Sequence, residues 1–307
     1  MNRLKYFSIL ILVCITMLVV SVCSASKSTA ATDTDSKQMV IAAFEKLNTV
    51  KNYHMTMENN YTLTYQGEAL NLGVKSEADA QTEPLLVKNN MVFTMESTWE
   101  KKEKRTMQYV EENQGQIVAY SYLNNQWTKQ VITQFSPLAA YEDYFKAIKS
   151  VTLLKESAKT RVFAVVVESS YLSNELERMM NAVGMQKVKL PKGIFKDIGD
   201  LSYTVTIDKK TAAITKVNMD LSGLLVSVGN NIVESLELPD EKKMAISEML
   251  ATVKASATII FSQINRVDGL QIPPEVKNTA VTVPSICVRP GCDSDKAADS
   301  VEIGTSL

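Results

Sequence analysis

Histidine is nearly absent from this chain. Its 307 residues hold one, His54. That excludes a paired-histidine zinc motif such as HExxH and leaves little for a Ser-His-Asp triad. No G-x-S-x-G elbow and no P-loop occur. Cysteine is scarce too: Cys14, Cys23, Cys287 and Cys292 are too few and too scattered for a disulfide scaffold or a zinc ribbon. Eleven glycines and eight prolines exclude collagen-like and low-complexity chains. No charge of one sign dominates. The 33 basic and 34 acidic residues give a net charge of -1, so nothing draws the chain to nucleic acid. What remains is ordinary globular composition, 45% hydrophobic and 22% charged.

The first 25 residues read as an export signal. Arg3 and Lys5 form a basic start. An apolar run follows from Phe7 to Val22, and small residues follow that. The run is short for a spanning helix, which needs about 20 residues. Cys23 has two readings. In Val20-Ser21-Val22-Cys23 it fits a lipobox, which makes it the lipidated first residue of a membrane-anchored chain. Alternatively, cleavage after Ala25 discards it. Either way the expectation is an exported protein, on the outer face of the cell membrane or secreted. Residues 26–35 are polar and suit a tether. Without Arg3 and Lys5, 31 basic residues face 34 acidic ones, a charge of -3.

The expected domain covers residues 36–283. An amphipathic helix opens it at Ser36–Leu47, with Met39, Val40, Ala43, Phe44 and Leu47 on one face and Asp35 as cap. From Tyr53 to Tyr65 the odd positions are apolar or aromatic, except Asn59, and the even ones are polar. That is the period of a half-buried strand. Shorter alternating runs follow, with Met91, Phe93, Met95 and Trp99 on one of them. Tight polar turns between them predict an antiparallel meander. A helix is predicted from Ser136 to Ile148. A strand covered on both faces is predicted at Arg161–Glu168, and a helix at Tyr171–Val183. Strands are predicted at Leu201–Ile207, Ala213–Leu221 and Ala257–Ile264. Helices are expected at Leu224–Leu236 and Asp240–Val253. Pro273-Pro274 predicts an extended exit, and residues 284–307 a flexible polar tail. The fold class is α+β: a large curved antiparallel sheet with helices packed on one face.

Chemistry is sparse. His54 falls on the polar face of its strand. Lys101, Lys102, Lys104 and Arg105 are interleaved with Glu100 and Glu103 and read as a solvated hairpin end. The Val-Arg-Pro-Gly spacer between Cys287 and Cys292 suits a local disulfide in an exported protein; two free thiols are the other reading. No cofactor or metal site is indicated. Methionine is the suggestive component. Met55, Met57, Met91 and Met95 share apolar strand faces with Tyr53, Tyr61, Phe93 and Trp99. Flexible thioethers either fill the gap between sheet and helices or line a cavity for apolar ligands.

Three segments carry a resemblance: YLNNQWTKQ at Tyr122–Gln130, IDKKTAAITKVNMDLSG at Ile207–Gly223, and QIPPEVKNTA at Gln271–Ala280. In this order they resemble a family of Gram-positive, Firmicutes-type surface lipoproteins known only as a domain of unknown function. That family is in turn similar to the LolA/LppX-like lipoprotein carriers. The resemblance implies a half-barrel sheet with helices on its concave side. It implies a non-enzymatic binder of a lipid or another apolar ligand, with Met55, Met57, Tyr61, Met91, Phe93, Met95 and Trp99 against it. The alternative is an envelope sensor or assembly factor that uses the same fold to contact another envelope protein.

Overall fold

The alternation around Met57 forms a long strand because only a pleated backbone sends every second side chain to one side. The structure is a computed structural model that describes residues 34–133, 143–182, 193–283 and 286–287. Helix α1 (Thr34–Asn48) leads into β1 (Asn52–Tyr65), β2 (Glu68–Gln81), β3 (Leu86–Glu96), β4 (Lys101–Asn113), β5 (Gln116–Leu123) and β6 (Gln126–Thr133). Then come β7 (Ile148–Glu156), β8 (Thr160–Val167), α2 (Ser169–Ala182), β9 (Leu201–Asp208) and β10 (Ile214–Asp220). The chain continues with α3 (Ser222–Ser235), α4 (Asp240–Ala251), β11 (Lys254–Ser262), α5 (Pro274–Thr279), β12 (Val281–Thr282) and β13 (Ile286–Cys287).

The 13 strands among the described residues join one open, curled sheet in the order β12-β6-β5-β4-β3-β2-β1-β11-β10-β9-β8-β7, with β13 also on β6. It consists of two antiparallel meanders, β1 to β6 and β7 to β11, joined where β1 pairs with β11. The hairpin turns are tight for a local reason. Gln66-Gly67, Gln114-Gly115 and Asn124-Asn125 all have positive φ, which two-residue turns of the primed type require.

The sheet carries a core on each face. On the first, α1 contributes Val40, Phe44 and Leu47, and α3 contributes Leu224, Val228 and Ile232. They join Tyr53, Met55, Met57 and Tyr61 of β1 and the inward residues of β8 to β11, such as Phe163, Val205, Val217 and Ile259. Leu172 and Leu176 of α2 join the same cluster. The second core lies on the opposite face of β4 to β6, where Tyr109, Val118 and Tyr120 are covered by Ile272 and Val276. Lys277 of α5 pairs with Glu111 at 2.6 Å, and Tyr120 donates to the same carboxylate at 3.0 Å.

Several sequence expectations differ from the structure. Pro273-Pro274 opens helix α5 rather than an extended exit, because a proline at the first helical position gives up no needed N–H. Val276 of α5 packs on the opposite face of the sheet from α1, α2 and α3. The predicted helix to Ile148 ends at 147, and Ile148 begins strand β7. Strand β8 alternates, with Phe163, Val165 and Val167 buried and Val162, Ala164 and Val166 half-buried, so it is fully covered on one face only. Lys101 to Arg105 do match their expectation: they are the exposed start of β4, at the turn end of the β3–β4 hairpin. Asp35 lies inside the first turn of α1 rather than capping it. At the C-terminal end, Ile286–Cys287 pairs in parallel with β6. The rest of 284–307, Cys23 and Cys292 lie outside the described residues.

Val276 tests the second core. It is buried, and Val276→Ala removes two methyl groups and leaves a small cavity. The expected loss is about 2 kcal/mol of unfolding free energy, read by denaturant titration.

Candidate functional site

The inward face of β1 can be followed strand by strand, since directly opposed residues share a face. Met57 opposes Ser76 of β2, which opposes Met91 of β3. On the other side Met57 opposes Ile259, then Val217, Val205 and Phe163. One step along, Asn59 opposes Val74, which opposes Phe93; its β11 partner is Ala257. The next row runs Ala255, Tyr61, Leu72 and Met95.

Six of the seven sequence-predicted ligand residues therefore lie on one face. Met55, Met57 and Tyr61 are buried within the first core. Met91, Phe93 and Met95 are half-buried on the same face. Trp99 departs from the prediction. Strand β3 ends at Glu96, so Trp99 sits in the turn before β4 with 75% of its surface exposed. Ser97 closes that turn through hydrogen bonds with Glu100, which interrupts the alternation that would have carried Trp99 inward.

The residue missed as a site is Asn59. Its side chain is 0% exposed, yet neither its Nδ2 nor its Oδ1 has a hydrogen-bond partner in the protein. The Tyr61 hydroxyl, two residues on, is also buried without a partner, as is the Asn230 Oδ1 on α3. An unpaired buried polar group costs about 1–3 kcal/mol. Two on neighbouring rows of a face that is otherwise apolar apart from Ser76 are a concentrated cost. The signal was present in the sequence: Asn59 is the one non-apolar residue on the inward face of β1.

Helix α3 packs on β11 at the start of this region. Leu221 N–H donates to the Ala255 carbonyl, and Ser222 Oγ accepts from the Ala255 N–H at 2.9 Å. Helix α4 packs on α3 with Leu250 against Gly229, and a Cβ on Gly229 would lie 2.9 Å from the Leu250 methyls. No residue of α4 is buried; Leu236 at the end of α3 and Met244 on α4 are exposed.

His54 pairs through Nδ1 with Asp79 at 2.8 Å on the face away from Met57. The carboxyls that shift do so downward, each through a hydrogen-bond partner: Lys75 beside Glu77, Lys209 beside Glu156, Lys149 beside Asp200, Thr211 beside Asp208 and Ser222 beside Asp220. Among the described residues no three His, Cys, Asp or Glu side chains could hold a metal ion. None of the helices among them is long and apolar enough to cross a membrane.

The buried phenols shift the other way. Burial pushes Tyr61 and Tyr203 up. Burial, then the bond to Glu111, takes Tyr120 to about 12. The folded chain thus keeps protons that the unfolded chain releases near the ordinary value of about 10. This stabilisation is complete below pH ~10 and is lost as pH rises through the folded values. Ultraviolet titration should show a late group of tyrosines that ionise only with unfolding. Eleven tyrosines titrating together in a chain still folded would contradict it.

A search of the curated proteins finds no match. Among solved structures, a DUF1329 family protein from Desulfovibrio piger ATCC 29098 aligns over 77% of this chain and 93% of its own, at 10% identity and a TM-score of 0.25. A likeness of that size carries no argument. The family comparison is decisive: residues 35–281 match a family of unknown function (DUF6612), and the chain belongs to that family.

Proposed function

We propose that this protein is an extracytoplasmic, non-enzymatic binder of a lipid or other apolar ligand, held between the sheet and its helices. The observation that carries the reading is the continuity of one apolar face. Met91, Phe93 and Met95 of β3 extend the surface that Met57 and Tyr61 begin, and they are only half-buried. An acyl chain laid on them gains about 0.8 kcal/mol for each methylene it buries. Unbranched methionines adapt to such a chain at low cost. The open, curled sheet with helices against it suits a LolA/LppX-like carrier. In this reading α3 and α4 form the movable cover, since α4 contributes nothing buried. Cys23, lipidated, holds the domain at the outer face of a Gram-positive cell membrane.

A second reading has its own support. Leu153 and Leu154 are exposed on β7, which ends the sheet. Among the described residues that strand edge is unpaired, and its apolar side chains suit contact with an envelope protein.

Native mass spectrometry of residues 26–307, secreted by the protein's own host behind a non-lipoprotein signal and purified without detergent, separates the two. The carrier reading predicts adducts that release lipid on denaturation. A bare protein mass, unchanged after incubation with host lipid extract, would overturn it and favour the sheet-edge reading.

A further inference from the structure

The geometry points to Asn59 as a buried polar anchor for an uncharged acyl ester that keeps a neighbouring hydroxyl, as in a monoacylglycerol. This inference rests on the carrier reading and specifies its ligand. Three observations converge on it. First, Asn59 presents both a donor, Nδ2, and an acceptor, Oδ1, and neither is used within the protein. Second, no side chain on the neighbouring strands uses them. The side chains directly opposite are Val74 and Ala257; those flanking them are Leu72, Ala255, Ile259 and Ser76, whose hydroxyl donates to Asn89 instead. Third, Tyr61 adds a hydroxyl to the same face, also unused.

The donor–acceptor balance selects the ligand class. A hydrocarbon would leave both amide atoms unpaired. A simple ester would satisfy Nδ2 through its carbonyl and leave Oδ1 without a donor. A fatty-acid carboxylate would need a buried cation, and the buried polar or charged residues among the described ones are Asn59, Ser76 and Glu175, none of them cationic. An ester carbonyl with a hydroxyl beside it satisfies both atoms, and the Tyr61 hydroxyl can serve a second oxygen. The acyl chain would then run over Phe93 and Met95, the β3 members of the rows through Asn59 and Tyr61. Burial holds the Tyr61 phenol in its protonated form, so it remains a donor throughout the physiological range.

The test uses three probes, monoolein, methyl oleate and oleate, each competing with a fluorescently labelled monoacylglycerol for the full chain. The wild-type protein should prefer monoolein over methyl oleate by about tenfold or more, the worth of one hydrogen bond kept where one would otherwise be lost. Asn59→Leu should bring that ratio close to one and raise the melting temperature of the unliganded protein, because an unpaired buried amide is removed. Tyr61→Phe, which takes away only a hydroxyl, should weaken monoolein more than methyl oleate. Equal wild-type affinities for monoolein and methyl oleate would overturn the anchor while leaving the carrier reading intact. So would a preference that survives in Asn59→Leu, or a lowered melting temperature in that variant, the sign of internal water held by the amide. Failure to bind any of the three probes would overturn the carrier reading itself.

Discussion

The pairing of β1 with β11 holds the molecule together. Nine residue pairs, from His54 with Ser262 to Thr62 with Lys254, join segments that lie at opposite ends of the described chain. Each meander could form locally from short hairpins. Only this seam makes them one sheet, and it must close a long loop first, a cost that grows slowly with loop length. The seam also defines the site. It places Ala255 and Ala257 beside Tyr61 and Asn59, so the small residues of the second meander lie next to the polar pair of the first.

Two cores on opposite faces follow from the width of the sheet. Helices α1, α2 and α3 cover the face over β1 and the second meander. The far end of the first meander turns the other way and is covered by the segment that contains Ile272 and Val276. Between these regions lie the inward residues of β3, which the first core leaves half-exposed. The candidate site is where one core gives out before the other begins. Its polar groups reinforce the reading. Ser76, one row away on the same face, finds a partner in Asn89 at 2.6 Å, whereas Asn59 and Tyr61 find none.

Much of this architecture was legible in the sequence, for identifiable reasons. The period-2 pattern of β1 stands out because one face is buried over most of its length. The hairpins announce themselves through Gln-Gly and Asn-Asn turns. Strand β7 was hidden because it is an edge strand whose residues are mostly exposed, so no alternation marks it. Helix α5 was hidden because Pro-Pro suggests extension, while the helix depends on tertiary contact with Tyr109 and Tyr120. Trp99 fitted the alternation of β3, and only the turn at Ser97 takes it out. The partner of β1 could not be read at all, since alternation gives a strand's faces and not its neighbours. For the site, the methionine rows were visible. Asn59 was visible too, as a single break in a pattern, but its meaning needed the burial and the bonding around it.

The central claim is that the ligand lies on the inward face across β1 and β3. Methyl NMR of methionine-labelled protein during titration with monoolein tests it most directly. The account predicts that the Met57, Met91 and Met95 signals shift and show contacts to acyl-chain protons, while Met244, exposed on α4, shows no acyl contacts. Acyl contacts confined to Met244, or none at Met57, Met91 and Met95 once the complex has formed, would contradict it.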